Sequence, residues 1–122
     1  MTELAELVAG YGFAYLVTVG ADGRPRTTTV VPTFAAGRFD VGPVGRHRRA
    51  DLSHRADVTL IWPPQLVTDY SLIVDGQAEL PSDAADSVRV TPMRALLHRP
   101  VFADNDGSVT TGRSDCVDVT GF

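Results

Sequence analysis

Lysine is absent from this 122-residue chain: arginine supplies all eleven basic side chains, and fifteen acidic residues leave a formal net charge of −4. Proteins that bind nucleic acid generally present a basic face, so this charge balance argues against that class. The single cysteine, Cys116, excludes an internal disulfide framework and a multi-cysteine metal site. No apolar run approaches the roughly 18–20 residues of a membrane-spanning helix, and no basic segment at Met1 marks a secretory signal. We therefore expect a cytoplasmic protein with no nucleic-acid, membrane or metal partner.

The length and the spacing of apolar residues predict a single all-β domain over residues 1–122 with two short helices. The predicted strands cover 13–19, 26–32, 38–41, 57–62, 70–80 and 87–101, with a bulge or bend at Asp75–Gly76, and the predicted helices are an N-terminal one that ends at Gly10–Gly12 and a second over 46–55. Within 87–101, Met93, Leu96 and Leu97 also fit a helix, but Val88 and Val90 favour a strand. The polar, Gly-rich residues 104–122 predict an extended or partly ordered tail. Six or so short strands in this length predict a small closed barrel.

The stretch from Arg24 to Asp57 carries the strongest functional signal. A strand rich in β-branched residues, Arg26–Val31, is followed by a turn, a second strand and a helix that starts with Arg46-His47-Arg48-Arg49. Cations at a helix N-terminus oppose the helix dipole, so this cluster needs another explanation. A bound anion supplies one, because helix N–H groups and arginine forks both suit phosphate. The hypothesis is a phosphate site between strand and helix.

The ordered set of segments resembles the pyridoxamine 5′-phosphate oxidase-like family of flavin-binding split β-barrels. The segments that match are Phe13-Ala14-Tyr15-Leu16-Val17-Thr18-Val19, Asp22-Gly23-Arg24-Pro25, the strand from Arg26, Gly37-Arg38-Phe39-Asp40-Val41-Gly42, Gly45-Arg46-His47-Arg48-Arg49-Ala50-Asp51-Leu52, Ala56-Asp57-Val58-Thr59-Leu60-Ile61-Trp62 and Gly76-Gln77-Ala78-Glu79-Leu80. The resemblance covers about residues 5–81. It implies a split barrel, assembled as a homodimer, with FMN or in some branches a deazaflavin in the dimer groove.

The resemblance also assigns roles to individual residues. It implies that Arg26 and Arg48 hold the cofactor phosphate, and that the main chain of Thr27, Thr28, Thr29, Val30 and Val31 lines the isoalloxazine ring. Val41 and Gly42 correspond to a segment beside the phosphate, His47 to the residue before the helix cation, and Ser71 to a polar residue within reach of the ring. No side chain is nominated as a catalytic acid or base.

These expectations lead to an FMN-binding reductase or oxidase of a small molecule. Oxidation of vitamin B6 is not expected, because the C-terminal substrate segment of the true oxidases has no counterpart here. Arg46 stands where the family often has a small hydroxyl residue, and this departure either narrows the phosphate pocket or favours a more anionic ligand. A deazaflavin-dependent reductase and a dimeric binding module without cofactor remain the alternatives. Cys116 is not proposed as a nucleophile, because Asp115 and Asp118 oppose thiolate formation.

Overall fold

The computed structural model describes residues 3–103 and 108–122 and confirms an all-β architecture with short helices. In the described residues the elements are α1 (Glu3–Val8), β1 (Ala14–Val19), β2 (Pro25–Val30), β3 (Thr33–Ala35), β4 (Arg38–Gly42), α2 (Arg46–His54), β5 (Asp57–Trp62), β6 (Ser71–Glu79), β7 (Val88–Ala103) and β8 (Ser108–Val119). Strand β3 was not expected from the sequence. Neither described helix has the length and apolarity needed to cross a lipid bilayer.

All eight described strands belong to one antiparallel sheet, in the order β2-β1-β5-β6-β7-β4-β3, with β8 paired to β7. The expectation of a closed barrel is therefore corrected, because the described pairing leaves β2 and β3 as free ends. Three parts of the sheet are local: the hairpins β1–β2 and β3–β4, and the meander from β5 to β8. Pairing of β1 with β5 and of β4 with β7 joins them.

The core lies on one face of this sheet. Along β1, Ala14, Leu16 and Thr18 are buried while the residues between them are more exposed, which is the period of two that a half-buried strand requires. Trp62 at the end of β5 is buried against Phe39 of β4, with ring centroids 5.2 Å apart. Aromatic pairs at this separation stabilise the fold by roughly 0.5–1.5 kcal/mol beyond the contribution of their buried area.

Strand β7 organises the second half of the chain. One edge pairs with β6, and the other pairs first with β4 at residues 88–90 and then with β8 from Ala95 onward. The interpretation of 87–101 as a strand is thus confirmed, and the ladder with β6 shifts register between Asp75 and Gly76, where a bulge or bend was expected. Of the segment expected to be a tail, residues 108–119 form the paired strand β8, and 104–107 lie outside the described residues.

Helix α2 follows an extended Gly45 and ends at an extended Arg55, whose backbone N–H donates to the carbonyl of Asp51. Its buried residues are Asp51 and Leu52, and it packs on β1. A buried carboxylate on a helix is rare unless it is paired. Its partners, on the sheet and on α2 itself, define the candidate site.

Candidate functional site

A single carboxylate joins the two arginines expected to bind phosphate. Arg48 Nε lies 3.2 Å from Asp51 Oδ2, and Arg26 Nη1 lies 3.7 Å from Asp51 Oδ1. Arg26 comes from β2 and Arg48 from α2, so the fold brings together cations that are 22 positions apart in the sequence. The Asp51 side chain is 10% exposed, whereas those of Arg48 and Arg26 are 19% and 37% exposed. We call these three residues the Arg26–Asp51–Arg48 cluster.

Two residues of the β1 end support this cluster. The Thr18 hydroxyl, fully buried, donates a hydrogen bond to Asp51 Oδ2 at 3.2 Å. Gly20 leaves room for the ion pair: a Cβ at this position would lie 2.4 Å from Arg26 Nη1 and 2.8 Å from Asp51 Oδ1. A side chain at position 20 would therefore displace the charged groups.

Arg26 has a second, more exposed partner. Asp22, in the turn between β1 and β2, accepts hydrogen bonds from Arg26 Nη2 at 2.9 Å and from Nη1 at 3.3 Å. The hydrogen bond from Arg26 and one from the backbone of Arg24 hold the pKa of Asp22 below its usual value. The hydrogen bonds that Arg26 donates to Asp22, and the negative charge of Asp22, raise the pKa of Arg26. The cluster with Asp22 thus contains two positive and two negative groups.

Arg48 is less fully paired than Arg26. Its Nε is buried and, although close to Asp51, has no hydrogen-bond partner, and no described residue accepts a hydrogen bond from its two terminal nitrogens. Arg46 and His47 are exposed at the start of α2. Arg49 turns away and donates from Nη2 to the carbonyl of Pro81 at 2.9 Å. The helix start therefore offers N–H donors from Arg48 beside a structural carboxylate.

Strand β2 presents its residues alternately to the two faces of the sheet. Thr28 and Val30 pair with the buried Leu16 and Ala14 and share the inner face with Arg26. Thr27 and Thr29 are exposed on the outer face, and Val31 follows the strand with 70% of its surface exposed. The segment expected to line a ring thus offers its inner side chains to α2 and the core, and its outer ones to solvent.

The other residues implied by the resemblance are spread along the sheet. Val41 is buried in the core, and the backbone N–H of Gly42, at φ +82°, donates to Asp40 Oδ1 at 2.9 Å. Ser71 starts β6 and pairs with His98. No hydrogen bond or ion pair among the described residues connects Val41, Gly42, His47 or Ser71 to the Arg26–Asp51–Arg48 cluster.

The outer face near β1 exposes aromatic surface. Phe13 and Tyr15 are 37% and 38% exposed and contact each other edge to face at 5.3 Å between ring centroids. Tyr15 pairs with Thr29 on one side and Ile61 on the other, so β-branched residues of β2 and β5 flank it. Exposed aromatic groups beside β-branched residues are typical of a surface that contacts a ligand or another protein.

A second polar cluster connects β7, β8 and the start of β6. The Tyr70 hydroxyl donates to Asp115 Oδ2 at 2.6 Å, Arg99 Nε lies 3.1 Å from the same oxygen, and the Arg99 guanidinium stacks 4.4 Å from the Tyr70 ring centroid. The hydrogen bond raises the pKa of Tyr70 and, together with Arg99, lowers that of Asp115. On the opposite face, His98 Nδ1 lies 3.1 Å from the Sγ of the exposed Cys116. No group of three metal-ligating side chains occurs in the part of the chain that the structure describes.

Reasoning from the sequence found the two arginines but missed what positions them. Asp51 and Asp22 lie in the segments that match the family and have no role assigned from the sequence, and Gly20 lies outside those segments. The available signal was an acidic residue three positions after Arg48, which is the spacing at which side chains meet on a helix. The contact of Arg26 with Asp51 has no such local spacing.

Comparison with known proteins places this geometry in context. No family model matches the chain. Two curated proteins, one uncharacterised protein of Mycobacterium bovis and one of Mycobacterium tuberculosis, are each 38% identical to it over 130 aligned residues, which cover 96% of this chain and 92% of theirs.

Solved structures with the same fold have lower identity. A Clostridium acetobutylicum protein related to general stress protein 26, of the pyridoxinephosphate oxidase family, aligns with a TM-score of 0.64 at 14% identity, over 95% of this chain and 92% of its own. An F420 reductase aligns with a TM-score of 0.55 at 18% identity, over 68% and 87%. A haem-binding protein of Mycobacterium smegmatis aligns with a TM-score of 0.59 at 19% identity, over 95% and 57%. Proteins with this fold therefore differ in the cofactor that their names record.

Proposed function

This chain belongs to the same family as the two mycobacterial proteins and has the pyridoxamine 5′-phosphate oxidase-like split-barrel fold, and on that premise we propose that it is an FMN-binding oxidoreductase acting on a small molecule. The Arg26–Asp51–Arg48 cluster anchors the FMN phosphate in this proposal. The ring extends along β2 toward Val31. True pyridoxamine phosphate oxidation is not part of the proposal.

The main support for the proposal is that Arg26 and Arg48 both contact the buried carboxylate of Asp51. Surface ion pairs are worth roughly 0–1 kcal/mol and do not require a buried carboxylate between them. Here Asp51 and Thr18 fix two guanidinium groups side by side, at the junction of a strand and the start of a helix. Phosphate sites use such pairs of arginine forks together with helix N–H groups.

The residues present fit a phosphate group. The terminal nitrogens of Arg48 have no acceptor among the described residues, and those of Arg26 are held by the exposed carboxylate of Asp22. A phosphate that replaces Asp22 at Arg26 gains a charge-assisted contact without disturbing Asp51. When bound, the flavin supplies the electron transfer, and the protein supplies the phosphate anchor and a surface for the ring.

A comparison of FMN with riboflavin tests the anchor, because riboflavin has the same ring but no phosphate. We expect the wild-type protein to bind FMN at least tenfold more tightly than riboflavin in a fluorescence titration. Replacing Arg26 or Arg48 by alanine should reduce FMN affinity about tenfold or more while riboflavin affinity stays within about twofold. Arg55→Ala is the matched control, since Arg55 pairs with Asp57 outside the cluster. Equal binding of both ligands by the wild type would rule out the phosphate anchor.

Asp22 provides an independent test with the opposite sign. Because its carboxylate occupies the Arg26 fork, Asp22→Asn should raise FMN affinity several-fold and leave riboflavin affinity unchanged. A decrease in FMN affinity would mean that Asp22 orients Arg26 for the ligand instead of competing with it.

A deazaflavin is the second candidate cofactor. Its support is the shared fold with an F420 reductase together with Arg46, an exposed cation two residues from Arg48 that suits a cofactor with an acidic tail. Parallel titrations with F420 and with FMN decide between the two cofactors. Arg46→Ala should weaken the binding of F420 and leave the binding of FMN unchanged. An absorption spectrum after addition of haemin is the corresponding check on the haem-binding neighbour. If none of these ligands binds, the chain is a binding module without cofactor.

We also propose that the protein is a homodimer that buries the outer face around Phe13, Tyr15 and Val31. Exposed aromatic and β-branched residues on this face, beside the outer side chains of β2, support the proposal. Sedimentation equilibrium should give twice the chain mass of 13.1 kDa. Tyr15→Arg should shift the equilibrium toward monomer, and a wild-type monomer at micromolar concentration would rule out the dimer.

A further inference from the structure

One cavity among the described residues lies away from the arginine cluster. It has a volume of about 600 Å³ and lies between α1, the 63–70 connection and β7. Its apolar wall is formed by Leu7, Pro63, Pro64 and Leu97. Gly12, on its rim, precedes β1, whereas the cluster lies at Thr18. Six residues of extended chain separate the two by about 20 Å.

The charged side chains that line this cavity are both acidic. They are Glu6, on α1, and Asp69, in the 63–70 connection, and neither carboxylate has an ion-pair partner among the described residues. Arg99, which stacks on the ring of the cavity residue Tyr70, is paired with Asp115. Glu6 and Asp69 are exposed residues, so the cavity mouth carries two negative charges that have no ion-pair partner among the described residues.

Two tyrosines add polar and aromatic character. The Tyr11 hydroxyl donates to the backbone carbonyl of Tyr70 at 2.7 Å, so its oxygen is left as an acceptor at the cavity wall. Burial and the nearby charge of Asp69 raise the pKa of Tyr11. An ammonium group would find carboxylates, a phenol oxygen and aromatic rings in one place.

We propose that this cavity binds a small organic cation, with an apolar or aromatic body against the proline and leucine wall and an ammonium group between Glu6 and Asp69. The volume lies within the range of small-molecule sites, and a few polar groups in an apolar pocket are their usual composition. Tyr11 contributes aromatic surface to the cation, whereas one face of the Tyr70 ring is occupied by the Arg99 guanidinium. The proposal does not depend on the flavin site.

A pair of isosteric probes tests the charge requirement directly. 2-Phenylethylamine is protonated at neutral pH, and 2-phenylethanol has the same body without the charge. Titrating each into the ¹⁵N-labelled wild-type protein should give amide shifts at residues 6–12 and 65–70, with the amine bound at least fivefold more tightly. Asp69→Asn and Glu6→Gln should each weaken the amine about threefold to tenfold and leave the alcohol unchanged. Asp86→Asn, an exposed acidic residue that does not line the cavity, is the matched control.

Several results would overturn the proposal. Equal affinity for the amine and the alcohol would show that charge plays no part in binding. Amide shifts located elsewhere in the protein would show that the cavity is not the binding site. Absence of amide shifts with either probe at 10 mM would show that the cavity does not bind this class. Amine binding that is unchanged in both acidic variants would refute the assignment of Glu6 and Asp69. Because the substitutions are isosteric and the wild-type comparison needs none of them, a variant that fails to fold does not prevent the test.

Discussion

Replacing Asp51 by asparagine should destabilise the protein, because it removes the charge that holds Arg26 and Arg48 but keeps the shape that accepts the Thr18 hydrogen bond. Breaking a buried ion pair on one side typically costs about 3–5 kcal/mol. Arg26 is 37% exposed and regains water, so we expect a smaller loss, about 2–3 kcal/mol. For a chain of 122 residues the unfolding entropy is about 0.26 kcal/mol/K, so the melting temperature should fall by about 8–12 °C.

Thermal unfolding followed by circular dichroism measures this directly, with Asp22→Asn as the control. Asp22 also pairs with Arg26, but its side chain is 46% exposed, so that variant should melt within about 2 °C of the wild type. The reasoning is refuted if Asp51→Asn melts as high as the wild type. It is also refuted if both variants lose the same amount, since the two carboxylates would then be equivalent despite their different burial.

Three further substitutions, the first with a second glycine position as its control, test other parts of the structure. Gly76→Ala should lower the free energy of unfolding by about 1–3 kcal/mol, because its Cβ would lie 2.5 Å from the Thr91 carbonyl oxygen. The Cβ of Gly12→Ala would meet no atom within 4 Å, so a urea titration should show nearly the wild-type stability for this variant. Asp115→Asn should lower stability at pH 7, and the difference from wild type should begin to shrink as pH falls below about 4, the unfolded pKa, and vanish only below the lower folded pKa. Tyr70 and Arg99 depress the folded-state pKa of Asp115. The contribution of Asp115 to stability is therefore present above the unfolded pKa and is lost as pH falls through the folded pKa. A constant difference in stability down to about pH 2 would contradict this. Gly20→Ala should weaken the binding of FMN but not of riboflavin, because the new Cβ displaces Arg26. Equal loss of affinity for both ligands would show that the substitution does not act through the phosphate anchor.

The sequence predicted the strands that have local signals. Alternation along β1 and β5 and the bulge at Asp75–Gly76 each depend on neighbouring residues, and each is present. Strand β8 was harder to predict, because its polar, Gly-rich composition forms a strand only by pairing with β7. Closure of the barrel was over-predicted, since strand number alone does not fix whether the last pairing forms.

The same division applies to the site. Arg26 and Arg48 were identified by resemblance, and the spacing of Arg48 and Asp51 is local. The contact between Arg26 and Asp51 is a tertiary one that depends on α2 packing over the end of β1. Gly20 matters only once that packing exists, because the atoms it would displace come from two other elements. The cavity around Asp69 likewise depends on how α1 and the 63–70 connection meet.

The arrangement of the sheet as three local parts has a consequence for how the chain folds. The two hairpins and the β5–β8 meander can form from near neighbours in the sequence, whereas β1–β5 and β4–β7 pairing must close loops of about 40 residues or more. These two pairings set the entropic barrier to folding. Both of the loops that close contain α2. We therefore expect the ion pair of Arg26 with Asp51 to form only after this slow step and to report on its completion.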